Sequence, residues 1–132
     1  MHRCPATLKF ELDVDKLGMR TEFDQIILSL SRRINVKCLI IDSTGDIFYK
    51  LPTSFFLIQG LESLELMGCD FEPPLTFNGF KKLRNIHFEN VWVLAEELQH
   101  FFSSFPLLEE VVLIHFDKEY VDEKSINFGT FF

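Results

Sequence analysis

The fold is decided by the stretch Leu61-Glu62-Ser63-Leu64-Glu65-Leu66-Met67-Gly68-Cys69. With Ile58 in front of it, apolar residues stand at positions 58, 61, 64, 66 and 69, at steps of 3, 3, 2 and 3. The step of two is strand periodicity, which points Leu64 and Leu66 to one face and Glu65 to the other. The stretch therefore predicts a short strand that buries one of its faces.

The same apolar pattern recurs at regular distances along the chain. It returns from Phe80 to Val91 and from Phe105 to Phe116, and its three central positions return at 36, 39 and 41. The second position of the pattern falls at residues 36, 61, 83 and 108, which gives periods of 25, 22 and 25 residues. Periods of about 20–29 residues are typical of leucine-rich repeats. The stretch 8–12 either forms a fifth copy, 29 residues before the next, or lies outside the repeats.

One such repeat cannot bury its apolar edge alone, so neighbouring repeats must stack in register. We therefore predict an α/β leucine-rich-repeat solenoid with a short parallel sheet of four to five strands on its concave side. Parallel strands need crossovers, which form the convex side. Two prolines predict an irregular or 3₁₀ crossover at 69–75, whereas apolar stripes predict helices over 21–33 and 94–102.

The repeats account for most of the chain, so we predict a single leucine-rich-repeat domain over residues 1–132. The repeats are centred near residues 8–13, 36–42, 61–69, 83–91 and 108–116. Residues 117–132 are predicted to be a C-terminal tail or a partial cap over the last repeat. A cap is favoured because this segment contains three phenylalanines that would otherwise be exposed.

Composition and charge argue against several classes of function. The net charge of −7 would repel a nucleic-acid backbone, and the small basic clusters at 32–33 and 81–84 are interpreted as solvated residues. No apolar run is long enough to cross a membrane, and no catalytic motif occurs. The three widely spaced cysteines predict neither a disulfide framework nor a zinc site. We therefore expect the cytoplasm or nucleus, with no cofactor, metal or catalytic residue.

Several stretches resemble plant F-box/leucine-rich-repeat proteins, including the F-box/FBD/LRR-like group. The resemblance lies in residues 8–12, 36–41, 49–52, 61–69, 71–83 and 105–111. In the last of these, Phe105-Pro106-Leu107-Leu108-Glu109 is similar to the family's frequent Cys-Pro-Leu-Leu-Glu element, with Phe in place of Cys. The resemblance implies the substrate-recognition repeats of a cullin–RING ubiquitin-ligase receptor, in which an N-terminal F-box holds a Skp-type adaptor. Because repeat-like sequence begins near Leu8, we expect no F-box in this chain, and a Skp-type adaptor only for a longer form.

The leading hypothesis is therefore a non-catalytic protein-interaction module. One alternative is a truncated or structural repeat fragment without a partner of its own, which predicts an unstable monomer. Another is an unrecognised hydrolase, which would need a deep pocket holding an acid or base with a strongly shifted pKa.

Outward strand positions line the concave face, which is the usual binding surface of stacked repeats. The predicted partner-binding residues are Cys38, Ile40, Asp42, Ser63, Glu65, Met67, Asn85, His87, Glu89, Glu110, Val112 and Ile114. Lys9, Glu11 and Asp13 join them if the stretch 8–12 is a repeat. Four of the twelve are acidic and none is Lys or Arg, so a basic segment of a protein partner is expected. The alternative is that they are solvated sheet residues.

Four single residues have competing interpretations. His87 is an exposed polar strand position or a pH-sensitive or metal contact. Cys69 is interpreted as a buried packing residue rather than a nucleophile, and Cys38 points outward and could be oxidised. Trp92 is expected to pack in the core of a crossover, with an interface anchor as the alternative.

Overall fold

The computed structural model describes residues 9–13, 20–33, 36–43, 48–93 and 100–114. In chain order, the elements are β1 Lys9–Asp13, α1 Arg20–Ser31, β2 Cys38–Asp42, β3 Tyr49–Lys50, a 3₁₀-helix Thr53–Leu57, β4 Ser63–Met67, β5 Cys69–Asp70, β6 Asn85–Glu89 and β7 Glu110–Ile114. Residues 100–103 are helical as well. None of the helices in the described ranges is long and apolar enough to span a membrane.

Five strands form the main sheet in the order β1-β2-β4-β6-β7, and each pairs in parallel with its neighbour. The apolar residues of consecutive repeats are in register, because Leu64 lies opposite Ile86 and Leu66 lies opposite Phe88. The same two rows continue onto β7. The prediction of an α/β repeat fold with a parallel sheet is therefore confirmed.

Residues 9–13 contribute the fifth strand of this sheet. On β1, Phe10 lies opposite Leu39 and Leu12 lies opposite Ile41, in the same register as the later pairs. Residues 9–13 therefore form a strand where a fifth copy would place one.

The two apolar rows form the centre of the core. Leu39, Ile41, Leu64, Leu66 and Ile86 are each at most 2% exposed. The equivalent residues of β7, the last described strand, are only partly buried against the core. Full burial of such a side chain contributes about 1.5–3 kcal/mol, so stacking of repeats supplies stability that a single repeat lacks.

Phenylalanines fill the space behind the sheet. The ring of Phe71 lies 5.2 Å from that of Phe56, 5.4 Å from Phe88, 5.7 Å from Phe101 and 6.3 Å from Phe55, measured between ring centroids. Most of these pairs meet edge to face, which the aromatic quadrupole favours. These contacts place several of the chain's sixteen phenylalanines in the core behind the sheet.

A left-handed residue ends two of the sheet strands. Gly68 follows β4 with φ of 70°, and Asn90, 22 residues later, follows β6 with φ of 55°. Glycine and asparagine are the residues that adopt this conformation most easily. The backbone N–H of Gly68 donates to the carbonyl of Glu89 at 3.1 Å, and that of Asn90 to Ile114 at 2.9 Å. The same repeat position thus turns the chain and extends the pairing by one bond.

A second, smaller parallel ladder follows this turn. β3 pairs with β5, and Asp70 of β5 forms an isolated bridge to Trp92. The N–H of Trp92 donates to the carbonyl of Cys69, and the N–H of Phe71 donates to the carbonyl of Trp92, both at 2.9 Å. The predicted irregular crossover at 69–75 therefore begins with two residues of strand and is irregular afterwards.

The helical predictions are met in part. The helix expected over 21–33 is α1, which buries Phe23, Ile27 and Leu30. Of the helix expected over 94–102, residues 94–99 lie outside the described residues, and 100–103 are helical. The 3₁₀-helix at Thr53–Leu57 was not predicted. It follows Pro52, whose φ is −70°, and it buries Phe55 and Phe56.

The predicted C-terminal tail or cap at 117–132 lies outside the described residues, as does Cys4.

Replacement of Leu66 by alanine tests the packing of the apolar rows. Leu66 is fully buried, so Leu66→Ala should lower the free energy of unfolding by about 2–5 kcal/mol, measured by urea denaturation. The matched control is Leu57→Ala, because Leu57 is 63% exposed and should lose about 0.5 kcal/mol or less. A loss below about 1 kcal/mol at Leu66 would contradict the proposed packing.

Candidate functional site

The side of the main sheet that faces away from the core is accessible, and we call it the outer face. Along β4 and β6, burial alternates so that every second side chain is buried and those between are partly exposed. The accessible described side chains of the outer face are Ile40, Asp42, Ser63, Glu65, Met67, Asn85, His87, Glu89, Glu110, Val112 and Ile114. The structure therefore brings eleven of the twelve predicted residues onto one surface.

Strand register arranges the outer face in rows. The middle row runs Ile40, Glu65, His87 and Val112 across four strands, each opposite the next. Neighbouring strands in a sheet lie about 4.8 Å apart, so this row presents the polar side chains of Glu65 and His87 between two apolar ones. A rigid sheet fixes these groups without the ordering cost of a loop.

Negative charge dominates the outer face. Asp42, Glu65, Glu89 and Glu110 are acidic, and none of the described side chains of this face is Lys or Arg. His87 lies opposite Glu65, and its Nε2 is 3.9 Å from Oε1 of Glu89. In the described ranges, no group of three or more His, Cys, Asp or Glu residues could hold a metal ion.

A shallow cavity lies at the start of β4, β6 and β7. Its volume is about 270 Å³, and Ser63, Glu65, Asn85, His87 and Glu110 contribute to its walls. The Nδ2 atom of Asn85 is buried and has no hydrogen-bond partner among the described residues. An unpaired buried donor costs about 1–3 kcal/mol.

Cys38 departs from the prediction. It occupies an outer-face register position opposite Ser63, but it is only 4% exposed and is disulfide-bonded. It is therefore not available to a partner, and the prediction that Cys38 points outward into solvent is wrong. Its disulfide bond agrees with the expectation that it could be oxidised, and one such bond is not a disulfide framework. Spacing along the chain does not limit which cysteines approach in space.

Lys9, Glu11 and Asp13, which the sequence added to the outer face conditionally, hold the matching backbone positions on β1.

An alternating row of charges lies just before the outer face, and the sequence analysis missed it. The residues that precede β2, β4, β6 and β7 are Lys37, Glu62, Arg84 and Glu109. Lys37 Nζ is 3.7 Å from Glu62 Oε2, and Arg84 forms an ion pair with Glu109. These exposed pairs each contribute about 0–1 kcal/mol to stability. They also disfavour wrong strand order, because a mispaired strand would bring like charges together. The signal was available, since all four follow the second position of the repeat pattern.

Trp92 and Cys69 behave differently from each other. Cys69 is fully buried as predicted, and its thiol donates to the carbonyl of Met67 at 3.6 Å. Trp92 was expected in the core of a crossover, but it is 38% exposed and packs against Phe48, with ring centroids 4.7 Å apart. The prediction for Trp92 is wrong because its backbone joins the second ladder.

Burial raises the pKa of Asp70 from 3.8 to about 6. The negative charge of Glu72 and a hydrogen bond with its side chain act in the same direction, while Lys50 opposes them. Asp70 lies on β5 in the second ladder and does not belong to the outer face. The raised pKa of Asp70 therefore bears on the stability of the fold and not on chemistry at the outer face.

Comparisons with known proteins agree with the repeat architecture. The family model described as At1g61320/AtMIF1, LRR domain, matches residues 9–118. The F-box/FBD/LRR-repeat protein At1g13570 of Arabidopsis thaliana is 34% identical over 117 residues, which is 89% of this chain and 27% of that protein. The chain thus spans about a quarter of the length of this relative. No solved structure matches the chain significantly.

Replacement of Asp70 by asparagine should change how stability depends on pH. The pKa of Asp70 is higher in the folded chain than in the unfolded chain, so its stabilising contribution is present below about pH 4 and lost as pH rises through about 6. Asp70→Asn removes this loss, so the variant should gain stability relative to the wild type between about pH 4.5 and about pH 7. Urea denaturation at both pH values measures the difference. Glu22→Gln, at an exposed acid of α1, is the control; equal pH slopes for wild type and Asp70→Asn would refute the assignment.

Proposed function

The chain belongs to the family of plant F-box/leucine-rich-repeat-like proteins, and from this premise we propose that it is a non-catalytic protein-interaction module. Leucine-rich repeats generally mediate contacts between proteins through an extended concave surface. We propose that the repeats form a curved solenoid and that the outer face is its concave, partner-binding side. We also propose that residues 1–132 form a single repeat domain.

The outer face is the observation that carries this proposal. It combines four acidic residues with partly exposed apolar ones, including Met67, Val112 and Ile114. Apolar side chains grouped with charges on a rigid surface are characteristic of an interface. A purely structural repeat has no reason to keep such groups together on the accessible side of the sheet.

The charge of the outer face indicates the kind of partner. Because its described side chains include four acids and no Lys or Arg, a basic protein segment would be attracted and correctly oriented by the field. A protein segment that carries Lys or Arg meets this requirement.

The outer-face cavity is smaller than a typical small-molecule or substrate pocket. Such pockets typically measure about 300–1,000 Å³, and the volume of this cavity is about 270 Å³. It suits the insertion of one partner side chain. The family model and the Arabidopsis relative likewise point to an interaction domain rather than an enzyme.

A ubiquitin-ligase role is a further part of the proposal. The name of the Arabidopsis relative combines an F-box, an FBD and leucine-rich repeats. By analogy, the repeats of this chain would hold the substrate of a ligase receptor, and a Skp-type adaptor would bind only to a form that carries an F-box.

Affinity capture from plant extract tests the outer face directly. The double variant Glu65→Gln with Glu89→Gln removes two carboxylates from this face, and Glu22→Gln with Glu72→Gln removes two exposed carboxylates elsewhere. Proteins bound by wild type and control should be recovered at least about fivefold less with the outer-face variant, and less at high salt. Quantitative mass spectrometry measures the recovery, and thermal melting checks that each variant is folded.

Two results would contradict the proposal. Equal recovery of all specific partners by the outer-face variant would show that binding does not depend on this face. The absence of any protein that distinguishes the wild-type chain from empty resin would favour a structural repeat fragment instead.

A further inference from the structure

A second accessible cavity, separate from the outer-face cavity, lies between the 3₁₀-helix and the loop that follows Pro74. Its volume is about 570 Å³. Phe56, Leu57, Phe77, Phe80, Lys81 and Lys82 are among its lining residues, and we call it the loop groove. It shares no lining residue with the outer-face cavity.

Exposed apolar residues mark the loop groove. Leu57 is 63% exposed, and Leu75, adjacent to the lining residues Pro74 and Thr76, is fully exposed. The aromatic floor is continuous, since the ring centroid of Phe77 is 5.1 Å from that of Phe56 and 5.0 Å from that of Phe80. Accessible large apolar side chains beside an aromatic floor are more typical of a binding groove than of a solvated turn.

The charge of the loop groove is opposite to that of the chain. The net charge is −7, yet the charged residues among those that line the groove are both cationic, Lys81 and Lys82. Neither lysine forms an ion pair with a described residue. An acidic ligand would therefore find two cations that no described carboxylate neutralises.

The wall of the loop groove is held in one conformation. The N–H of Phe77 donates to the carbonyl of Pro74 at 3.0 Å, and Nζ of Lys81 donates to the carbonyl of Asn78 at 2.6 Å. Gly79 has φ of +92°, and a Cβ atom there would lie 2.3 Å from the carbonyl oxygen of Ser104. The loop is therefore packed closely against the next repeat. A preformed wall lowers the ordering cost of binding.

We propose that the loop groove binds a short peptide segment of a partner protein in which an apolar side chain is flanked by Asp or Glu. The apolar side chain lies on the aromatic floor beside Leu57, and the carboxylates pair with Lys82 and the remaining N–H donors of Lys81. This site is independent of the proposed outer-face function. A chain with both sites would hold a basic segment on one surface and an acidic, apolar segment on another.

Selection from a displayed library of random twelve-residue peptides tests the proposal with the full chain. The peptides enriched on the wild-type chain should carry Asp or Glu next to a large apolar residue. Their affinity, measured by fluorescence polarisation with the synthetic peptide, should fall roughly tenfold with Lys82→Glu and roughly tenfold with Leu57→Ser.

Matched variants separate the loop groove from general effects. Arg32→Glu makes the same charge change at an exposed cation of the turn after α1, and Leu107→Ser makes the same polarity change at a leucine that is 42% exposed outside the groove. Both variants, and the outer-face variant Glu65→Gln with Glu89→Gln, should bind the peptide as the wild type does. Circular dichroism confirms that each variant is folded.

Four outcomes of the peptide experiments would overturn the proposal. They are the absence of enriched peptides, enrichment of peptides without net negative charge, equal binding by Lys82→Glu, and loss of binding with the control variants. Light scattering adds a check: a dimer of this chain that Leu57→Ser dissociates would show that a second copy, rather than a partner peptide, occupies the groove. Binding to anionic lipid vesicles that Lys82→Glu abolishes, without peptide binding, would assign the groove to a membrane surface.

Discussion

In-register pairing of apolar side chains from consecutive repeats is the constraint on which the rest of the molecule depends. Side chains alternate along a strand, so a slip of one residue would turn Leu64 and Leu66 outward and Glu65 into the core. The cost of burying a carboxylate without a partner excludes that arrangement. Two other features favour the same register of neighbouring strands. They are the left-handed turns at Gly68 and Asn90 and the alternating charges just before the strands.

The same constraint creates the two surfaces. Once the apolar rows are buried, the residues between them must share one accessible face, so the composition of that face is set by every second residue of each strand. The crossovers are not bound by this constraint, so their sequences can differ from repeat to repeat. Here they differ in their content of phenylalanine and proline. Packing of Phe56, Phe77 and Phe80 behind the sheet leaves a groove with an aromatic floor, while Lys81 and Lys82 give it a charge opposite to that of the outer face.

Sequence periodicity predicted the parts of the structure that depend on periodic burial. Apolar spacing predicted strands β2, β4, β6 and β7, their register, the first helix and eleven of the twelve outer-face positions. It left β1 as one of two alternatives. Pairing between backbones is independent of side-chain type, which explains why the second ladder and the exposure of Trp92 were missed. The 3₁₀-helix after Pro52 and the burial of Cys38 were missed for a related reason: both depend on which segments meet in space. The alternating row that begins at Lys37 could have been found by reading polar as well as apolar positions of the repeat.

Backbone NMR of the labelled chain directly measures whether neighbouring repeats pair in register. Nuclear Overhauser contacts between neighbouring strands report register independently of side-chain chemistry. We expect contacts between the backbones of Leu64 and Ile86 and between those of Ile86 and Val111, as for directly opposed residues of parallel strands. If the contacts of Leu64 were instead with Phe88, or were absent, the stacked register and both surfaces derived from it would be contradicted.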